Sequence, residues 1–92
     1  METMNDIFSA ADVKEKSIGN IYAASFVYAR GVQLVTVIIG RARSSTFLFN
    51  NADNCADRAL QDYYDGGLVS GRDLHEALAT LKKEADTVRG TN

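Results

Sequence analysis

The order of apolar and polar residues along the chain predicts three helices, with two strands between the first and the second. The first helical stretch, Ile18 to Ala29, is apolar or small around nearly its whole circumference, so we expect this helix to lie at the centre of the fold. Ser17 precedes it as an N-cap, and Gly31 follows it as a left-handed C-cap that turns the chain into a strand.

Two strands joined by a turn are predicted next. The first, Val32 to Ile39, is rich in β-branched residues, and the second runs from Ser45 to Asn50 after a turn at Gly40 to Ser44. Both strands carry apolar residues on both faces, and a hairpin cannot bury two faces and two edges by itself. We therefore expect the hairpin either to continue into a larger sheet by dimerisation or to be clasped by helices on both sides.

A regular amphipathic pattern predicts the second helix, because apolar residues recur at i, i+3, i+4, i+7, i+8 and i+11 from Ala52 to Tyr63. Asn51 or Asp53 is expected to cap its N-terminus. The glycine pair Gly66-Gly67 is expected to end it, with Leu68-Val69 packing back on the last turn.

The third helix is predicted to begin after Ser70, an N-cap with Asp73 three residues on, and to run to about Val88. Its apolar residues recur at the 4-3-4-3 spacing of a coiled-coil seam. Two heptads are too few for an independent coiled coil, so this stripe predicts helix packing within or between subunits.

Together these elements predict a small single α+β domain in the order α-β-β-α-α, with a central antiparallel hairpin. At 92 residues the chain is near the lower limit of domains that fold without disulfides or metals. We expect the domain to span residues 17–90, after a flexible or loosely helical segment of residues 1–16. A homodimer is expected to form through the first strand and the leucine stripe, at Val35, Val37, Ile39, Leu74, Leu78 and Leu81.

The net charge of −2 is distributed unevenly. Residues 1–50 carry five basic and four acidic groups, and residues 51–92 carry five basic and eight acidic groups. A protein whose whole surface wraps nucleic acid has a strongly basic balance, so any nucleic-acid contact here would have to be local.

The composition predicts no cofactor and no metal. The single cysteine, Cys55, excludes an internal disulfide, and the single histidine, His75, leaves no Cys/His cluster. The first sixteen residues have no signal-peptide pattern, and the apolar run at residues 32–39 is too short to span a membrane. We therefore expect a cytoplasmic protein without membrane contact.

Arg41 and Arg43 lie at the tip of the predicted hairpin, and Arg30 lies at its base. Guanidinium groups on a projecting turn can bind phosphates, so these three arginines are the candidate contacts for a nucleic acid or another anion. The competing interpretation is a solvated turn whose charges block pairing at the edge of the sheet.

An acidic surface on and beside the second helix is the candidate contact for a protein partner. An acidic face of this kind suits a basic partner surface, and it can mimic nucleic acid as some phage-encoded inhibitors do. The spacing of its carboxylates matches no known metal-binding loop. The residues are Asp53, Asp57, Asp62 and Asp65.

No group of residues has the arrangement that catalysis requires. Ser70, Asp73 and His75 are close in sequence, but a helix points their side chains in different directions, so no relay forms. The stretch from Gly66 to Arg72 lacks the lysine and the preceding strand of a P-loop. We therefore expect that the chain is not an enzyme.

Several short motifs lie between residues 17 and 85. They are Ala23-Ala24, Arg30-Gly31, Val32-Gln33-Leu34, Phe47-Leu48-Phe49, Tyr63-Tyr64-Asp65-Gly66-Gly67 and Leu81-Lys82-Lys83. Together they resemble a family of short uncharacterised bacterial and phage-associated proteins, a domain of unknown function. The resemblance implies no catalytic residue, and the family's frequent setting in phages and mobile elements implies a host-directed accessory role. The longer N-terminal stretch and the Arg41/Arg43 turn depart from the family.

These observations favour a small non-enzymatic module that binds a macromolecule. The leading hypothesis is a protein-interaction module, accessory or regulatory in role, such as a phage or mobile-element inhibitor. The alternative is a nucleic-acid-binding protein that uses the basic hairpin tip, and a third class is a small enzyme or ligand carrier.

Overall fold

A computed structural model describes residues 14–90, which fold into three strands and three α-helices and confirm the predicted α+β class. The elements are β1 (Glu15–Ile18), α1 (Ile21–Ala29), β2 (Leu34–Ile39), β3 (Ser45–Asn50), α2 (Cys55–Tyr64) and α3 (Gly71–Gly90). Short 3-10 turns lie at Arg41–Arg43 and Ala52–Asn54. Residues 1–13, for which a flexible or loosely helical segment was predicted, lie outside the described residues. The side chain of Arg43 also lies outside the described part of the structure.

The strands form one antiparallel sheet in the order β1-β3-β2, so the predicted hairpin gains a third strand from its own chain. The predicted start of the first helix is wrong. Ser17 does not cap α1, because it lies within β1 opposite Leu48. Asn20 caps the helix instead, because its side-chain oxygen accepts backbone hydrogen bonds from Tyr22 (2.8 Å) and Ala23 (3.2 Å).

β1 is held in the sheet by one buried apolar residue and one ion pair. Ile18 is only 4% exposed and lies opposite Phe47 of β3. Lys16, which the sequence analysis assigned to the N-terminal segment, pairs with Asp57 of α2 at 3.1 Å. A four-residue strand with one large apolar residue has too little periodicity to be recognised, so its long-range pairing with β3 decides its structure.

The core lies between one face of the sheet and the three helices. Phe47, Phe49 and Val37 point to this side and are buried. The first helix is central, as its apolar circumference predicts, because residues 23–27 are all buried. The cluster that these residues form also contains Ala56 of α2 and Leu81 of α3.

The opposite face of the sheet is open within residues 14–90. It carries Thr36 and Ile38 of β2, and Ile38 is 49% exposed. Among the described residues, helices therefore cover one face of the hairpin, which meets the alternative of helices on both sides for that face only. The larger sheet that was expected from dimerisation is supplied in part by β1.

Two glycines end the first two helices as predicted. Gly31 (φ +92°) follows α1, and Gly66 (φ +85°) follows α2, both in the left-handed region that favours glycine. After α2, the N–H of Gly67 donates to the C=O of Asp62 at 2.7 Å. This is the 6→1 hydrogen bond of a Schellman motif. Leu68 does not pack back on the helix, because it is 88% exposed.

α3 turns most of its apolar stripe toward its own core. Ser70 caps it as predicted, because its hydroxyl oxygen accepts the N–H of Asp73 at 3.0 Å. Two residues of the predicted self-association surface, Leu81 and Val37 of β2, are buried in the core of the subunit and are not available for it. Of the other residues of that surface, Ile39, Leu74 and Leu78 are half-buried, and Val35 is exposed.

None of the described helices is both long and apolar enough to cross a membrane.

Candidate partner-binding edge

β2 is an outer strand of the sheet and carries no charged residue. Its sequence, Leu-Val-Thr-Val-Ile-Ile, is aliphatic except for one threonine. Natural proteins usually protect such an edge with charges, proline or a covering element, because its free N–H and C=O groups can pair with another strand. The sequence of β2 itself supplies none of these charges or prolines.

The hydrogen bond that closes the hairpin shows which backbone groups of β2 face outward. The N–H of Gly40 donates to the C=O of Ser44 at 2.8 Å, so these two residues form a hydrogen-bonded pair. Hydrogen-bonded and non-hydrogen-bonded pairs alternate along an antiparallel ladder. The N–H and C=O groups of Val37 and Ile39 therefore point away from β3, toward the outer edge.

A β-bulge modifies this edge at Val35. The register between β2 and β3 shifts between Leu34, opposite Phe49, and Thr36, opposite Leu48. Val35 lies between these pairs, and its side chain is 47% exposed. A bulge bends the strand locally and increases its twist, so it limits how many strands can add to the edge without preventing the addition of one.

A groove of about 480 Å³ runs along this edge. The backbone and side chains of residues 31–37 form one wall, and Thr80, Glu84 and Val88 of α3, one helical turn apart, contribute to the other. Among the described residues that line it, Glu84 is the one with a charged side chain. Within residues 14–90 no further strand pairs with this side of β2, so the groove combines unpaired backbone, aliphatic surface and a single carboxylate.

The predicted acidic surface is partly neutralised. Asp57 pairs with Lys16, and Asp62 accepts a short hydrogen bond from Arg30. Asp65 accepts a hydrogen bond from the side-chain amide of Gln61 at 3.1 Å. Asp53 lies in the 3-10 turn before α2 and is exposed. Two of the four carboxylates thus hold elements of the subunit together, which weakens the expectation of one continuous acidic face.

Asp57 belongs to a small polar network that joins β1, the end of β3 and α2. The buried side chain of Asn51 donates to Asp57 at 2.9 Å and accepts the backbone N–H of Asp57 at 3.0 Å. The prediction that Asn51 or Asp53 caps α2 is wrong, because the N-cap residue is Asn54, whose side chain makes no capping hydrogen bond. Asn51 lies before the 3-10 turn and binds the N–H of Asp57 from there. Hydrogen bonds from Asn51 and from Lys16 lower the pKa of Asp57, and its partial burial opposes them.

The three predicted arginines do not form one site. Arg30 lies at the base of the hairpin, donates to Asp62 and places its guanidinium 5.1 Å from the ring centre of Phe26. Arg41 is exposed at the tip, at the other end of β2. The described part of the chain therefore assigns Arg30 a role in packing α1 against α2 and separates it from the hairpin tip.

Two basic residues that the sequence analysis did not select lie beside the hairpin tip. Arg89, in the last turn of α3, donates to the hydroxyl of Ser45 at 2.8 Å and to Asp86 at 2.7 Å. Lys82 lines the same cavity as Arg89, together with Ser44 and Ser45. The sequence could have shown that Lys82 and Arg89 share a helix face seven residues apart, but only the fold shows that this face meets the hairpin.

Neither the cysteine nor the histidine lies in a reactive arrangement. Cys55 is half-buried and donates to the backbone C=O of Asn50 at 3.3 Å, and His75 is exposed on α3. Within residues 14–90, no three His, Cys, Asp or Glu side chains are grouped closely enough to hold a metal ion.

Comparison of the chain with protein-family models, curated proteins and solved structures gives no match. The resemblance to short phage-associated proteins therefore stays a prediction, and the functional argument rests on the geometry of the chain.

Proposed function

We propose that this chain is a non-enzymatic protein-interaction module that binds an extended segment of a partner protein along the outer edge of β2. The segment would add to the sheet as a fourth strand, next to β2. This mode of recognition takes its affinity from main-chain hydrogen bonds and its specificity from pockets for alternate side chains. The observation that carries the proposal is that β2 has no charged side chain and that the N–H and C=O groups of Val37 and Ile39 point outward.

The lining of the groove defines the chemistry of the partner segment. Val35 and the aliphatic wall of β2 favour β-branched or aliphatic side chains at alternate positions. Glu84 favours a lysine or arginine on the side of the segment that faces α3. We therefore propose a partner segment that alternates aliphatic and polar residues and carries one basic residue. This binding mode suits the wider predictions from the sequence. These are an accessory or regulatory role, such as that of a phage or mobile-element inhibitor, and a cytoplasmic location.

A second copy of the chain is the competing occupant of this edge. The absence of charge on β2 permits self-pairing without repulsion, which supports the homodimer that the sequence predicts. Two Glu84 carboxylates would approach each other across such an interface, which favours a different segment with a basic residue.

The test uses a synthetic peptide of alternating valine and threonine with one lysine, labelled for fluorescence anisotropy. Two matched peptides accompany it, one N-methylated at alternate amides and one with glutamate in place of lysine. We expect binding by the first peptide only, because methylation removes the strand hydrogen bonds and glutamate meets Glu84. Equal binding by the methylated peptide would contradict strand addition.

Two lysine variants locate the binding surface on the protein. Val35→Lys places a charge in the groove, and Ile38→Lys places it on the open face of the same strand, where the parent side chain is similarly exposed. We expect Val35→Lys to abolish peptide binding and Ile38→Lys to preserve it. Light scattering tests the competing occupant. If the unmodified protein has twice the mass of one chain and Val35→Lys has the mass of one chain, the edge of β2 binds a second copy and not a partner segment.

A further inference from the structure

A second cavity, of about 360 Å³, lies at the end of the molecule opposite Arg30 and is separate from the β2 groove. It is an open cavity bordered by the loop before α1, the start of β3 and the last turns of α3. Its polar lining residues are Ser44, Ser45, Lys82, Asp86 and Arg89, and Gly19 contributes backbone. None of these residues lines the groove beside β2.

Arg89 is held in position at this cavity by two hydrogen bonds. One N–H of its guanidinium donates to the hydroxyl of Ser45 on β3, and another donates to the carboxylate of Asp86. Its side chain is 25% exposed and lines the cavity. A guanidinium has five N–H donors, so donors remain for a ligand in a fixed orientation.

The charge balance at this end of the molecule is opposite to that of the protein as a whole. Lys82 and Arg89 line the cavity with Asp86 as the single acid. Arg41 lies beside them on the hairpin tip, where its C=O accepts the N–H of the lining residue Ser44 at 3.1 Å. Two cations thus line the cavity beside one carboxylate, in a chain whose net charge is −2. Local positive charge on an acidic protein attracts an anion to one place.

We propose that this cavity is a binding site for a phosphate group. Arg89 would bind two phosphate oxygens through its planar fork, and Lys82 would contribute a second positive charge. The hydroxyl of Ser44 would donate to a third oxygen, and Arg41 would contact the next phosphate of a strand outside the cavity. The same chemistry suits a free phosphate and the phosphodiester backbone of a nucleic acid.

The first experiment follows the backbone amide signals of the whole chain by NMR while inorganic phosphate is added, and then while a single-stranded DNA oligonucleotide is added. We expect both ligands to shift the signals of Ser44, Ser45 and Arg89, and DNA alone to shift Arg41. No shift at these residues with either ligand would overturn the proposal. Saturation by phosphate without any tighter binding of DNA would assign the site to a free phosphate ligand.

Salt dependence measures how many phosphates of the strand are bound. Two bound phosphates, one in the cavity and one at Arg41, predict that DNA binding weakens about sevenfold between about 50 and 200 mM salt, because each neutralised phosphate on a single strand adds about −0.7 to the logarithmic slope. Salt-independent binding of DNA would contradict contact through the phosphates.

Neighbouring lysines on α3 provide a matched pair of variants. Lys82 lines the cavity, whereas Lys83 is exposed on the helix and does not line it. We expect Lys82→Ala to weaken binding of phosphate about tenfold, since it removes one charged hydrogen bond, and Lys83→Ala to change it less than twofold. Equal losses in the two variants would mean diffuse attraction to a basic surface, and would reject the built site.

Removal of the acidic residue tests the sign of the effect. Asp86→Asn keeps an oxygen that can accept from Arg89 but removes the negative charge from the cavity. We expect this variant to bind phosphate more tightly than the unmodified protein. Unchanged or weaker binding would contradict a phosphate bound beside Asp86 in this cavity.

Discussion

The two edge strands of the sheet, β1 and β2, differ in how far their sequences protect them from pairing with another chain. β1 has four residues, two of them charged, and its Lys16 is tied to α2 through Asp57. β2 has six residues without charge, and a groove runs beside its outward-facing backbone. Charges and short length discourage a strand from pairing with another chain. The difference shows that charge and an ion pair protect β1, whereas the sequence of β2 carries neither protection.

The largest expected effect tests whether β1 is part of the fold at all. Ile18→Ala removes a side chain that is 4% exposed and packs opposite Phe47. We expect a loss of about 2–4 kcal/mol in the free energy of unfolding, measured by urea denaturation, because a large buried aliphatic side chain is lost and a cavity is left. Val35→Ala on the other edge is the control and should change stability by less than about 0.5 kcal/mol. Similar small losses in both variants would show that β1 is not docked.

A smaller effect is expected from the network that fastens β1 to α2. Asn51→Ala removes a buried amide that binds both the side chain and the backbone N–H of Asp57. We expect a loss of about 1–2 kcal/mol in the same denaturation experiment, because the partly buried N–H and carboxylate of Asp57 lose their hydrogen-bond partner. Asn50→Ala is the comparison, because the Asn50 side chain accepts a single exposed N–H, from Ala52, and its removal should destabilise the protein less. A larger loss of stability for Asn50→Ala would show that Asn51 is not the residue that holds this junction.

The same network makes the β1 edge sensitive to acid. The folded state lowers the pKa of Asp57, so the stabilisation is present above the ordinary aspartate pKa and is lost as the pH falls through the lowered value. The Asp57 side chain is 44% exposed, so solvent screens the interaction and the effect is modest. We expect Asp57→Asn to reduce the stability difference between pH 7 and pH 3, measured by thermal unfolding. An unchanged difference would exclude Asp57 as a contributor.

The smallest effect on stability comes with a change in association. Glu15→Val makes β1 resemble β2, and Val35→Lys makes β2 resemble β1. Both positions are exposed, so we expect each variant to unfold within about 0.5 kcal/mol of the parent. In light scattering over a concentration series, Glu15→Val should associate more than the parent and Val35→Lys less. The opposite order would show that edge charge does not control association here.

The fold was predictable where the signal is local. The apolar circumference of α1, the periodicity of α2 and the glycines at positions 31 and 66 each determine structure within a few residues. β1 was missed because Ile18 alone carries its signal, and its pairing with β3 depends on residues distant in the sequence. The leucine stripe of α3 predicted packing but not its direction, and the structure turns Leu81 inward.

The candidate sites were less predictable than the fold, for the same reason. The hairpin tip was recognised from Arg41, but its neighbour Arg89 is 44 residues away from the serine that it binds. Arg30 and Asp62 were assigned to opposite kinds of surface, and they neutralise each other. A charge can be counted from the sequence, whereas its partner depends on which helices become neighbours.

The position of β3 at the centre of the sheet has a consequence for the order of folding. β3 meets β2 across a short turn, but it meets β1 only after a loop of roughly 30 residues has closed, which costs more chain entropy. We therefore expect the hairpin to form first and β1 to complete the sheet late. During synthesis the order of emergence is reversed, since β1 leaves the ribosome before either of the other strands and must wait for them. Until it docks, the central strand is itself an open edge, and the nascent chain passes through a stage at which both sides of the hairpin can accept a foreign strand.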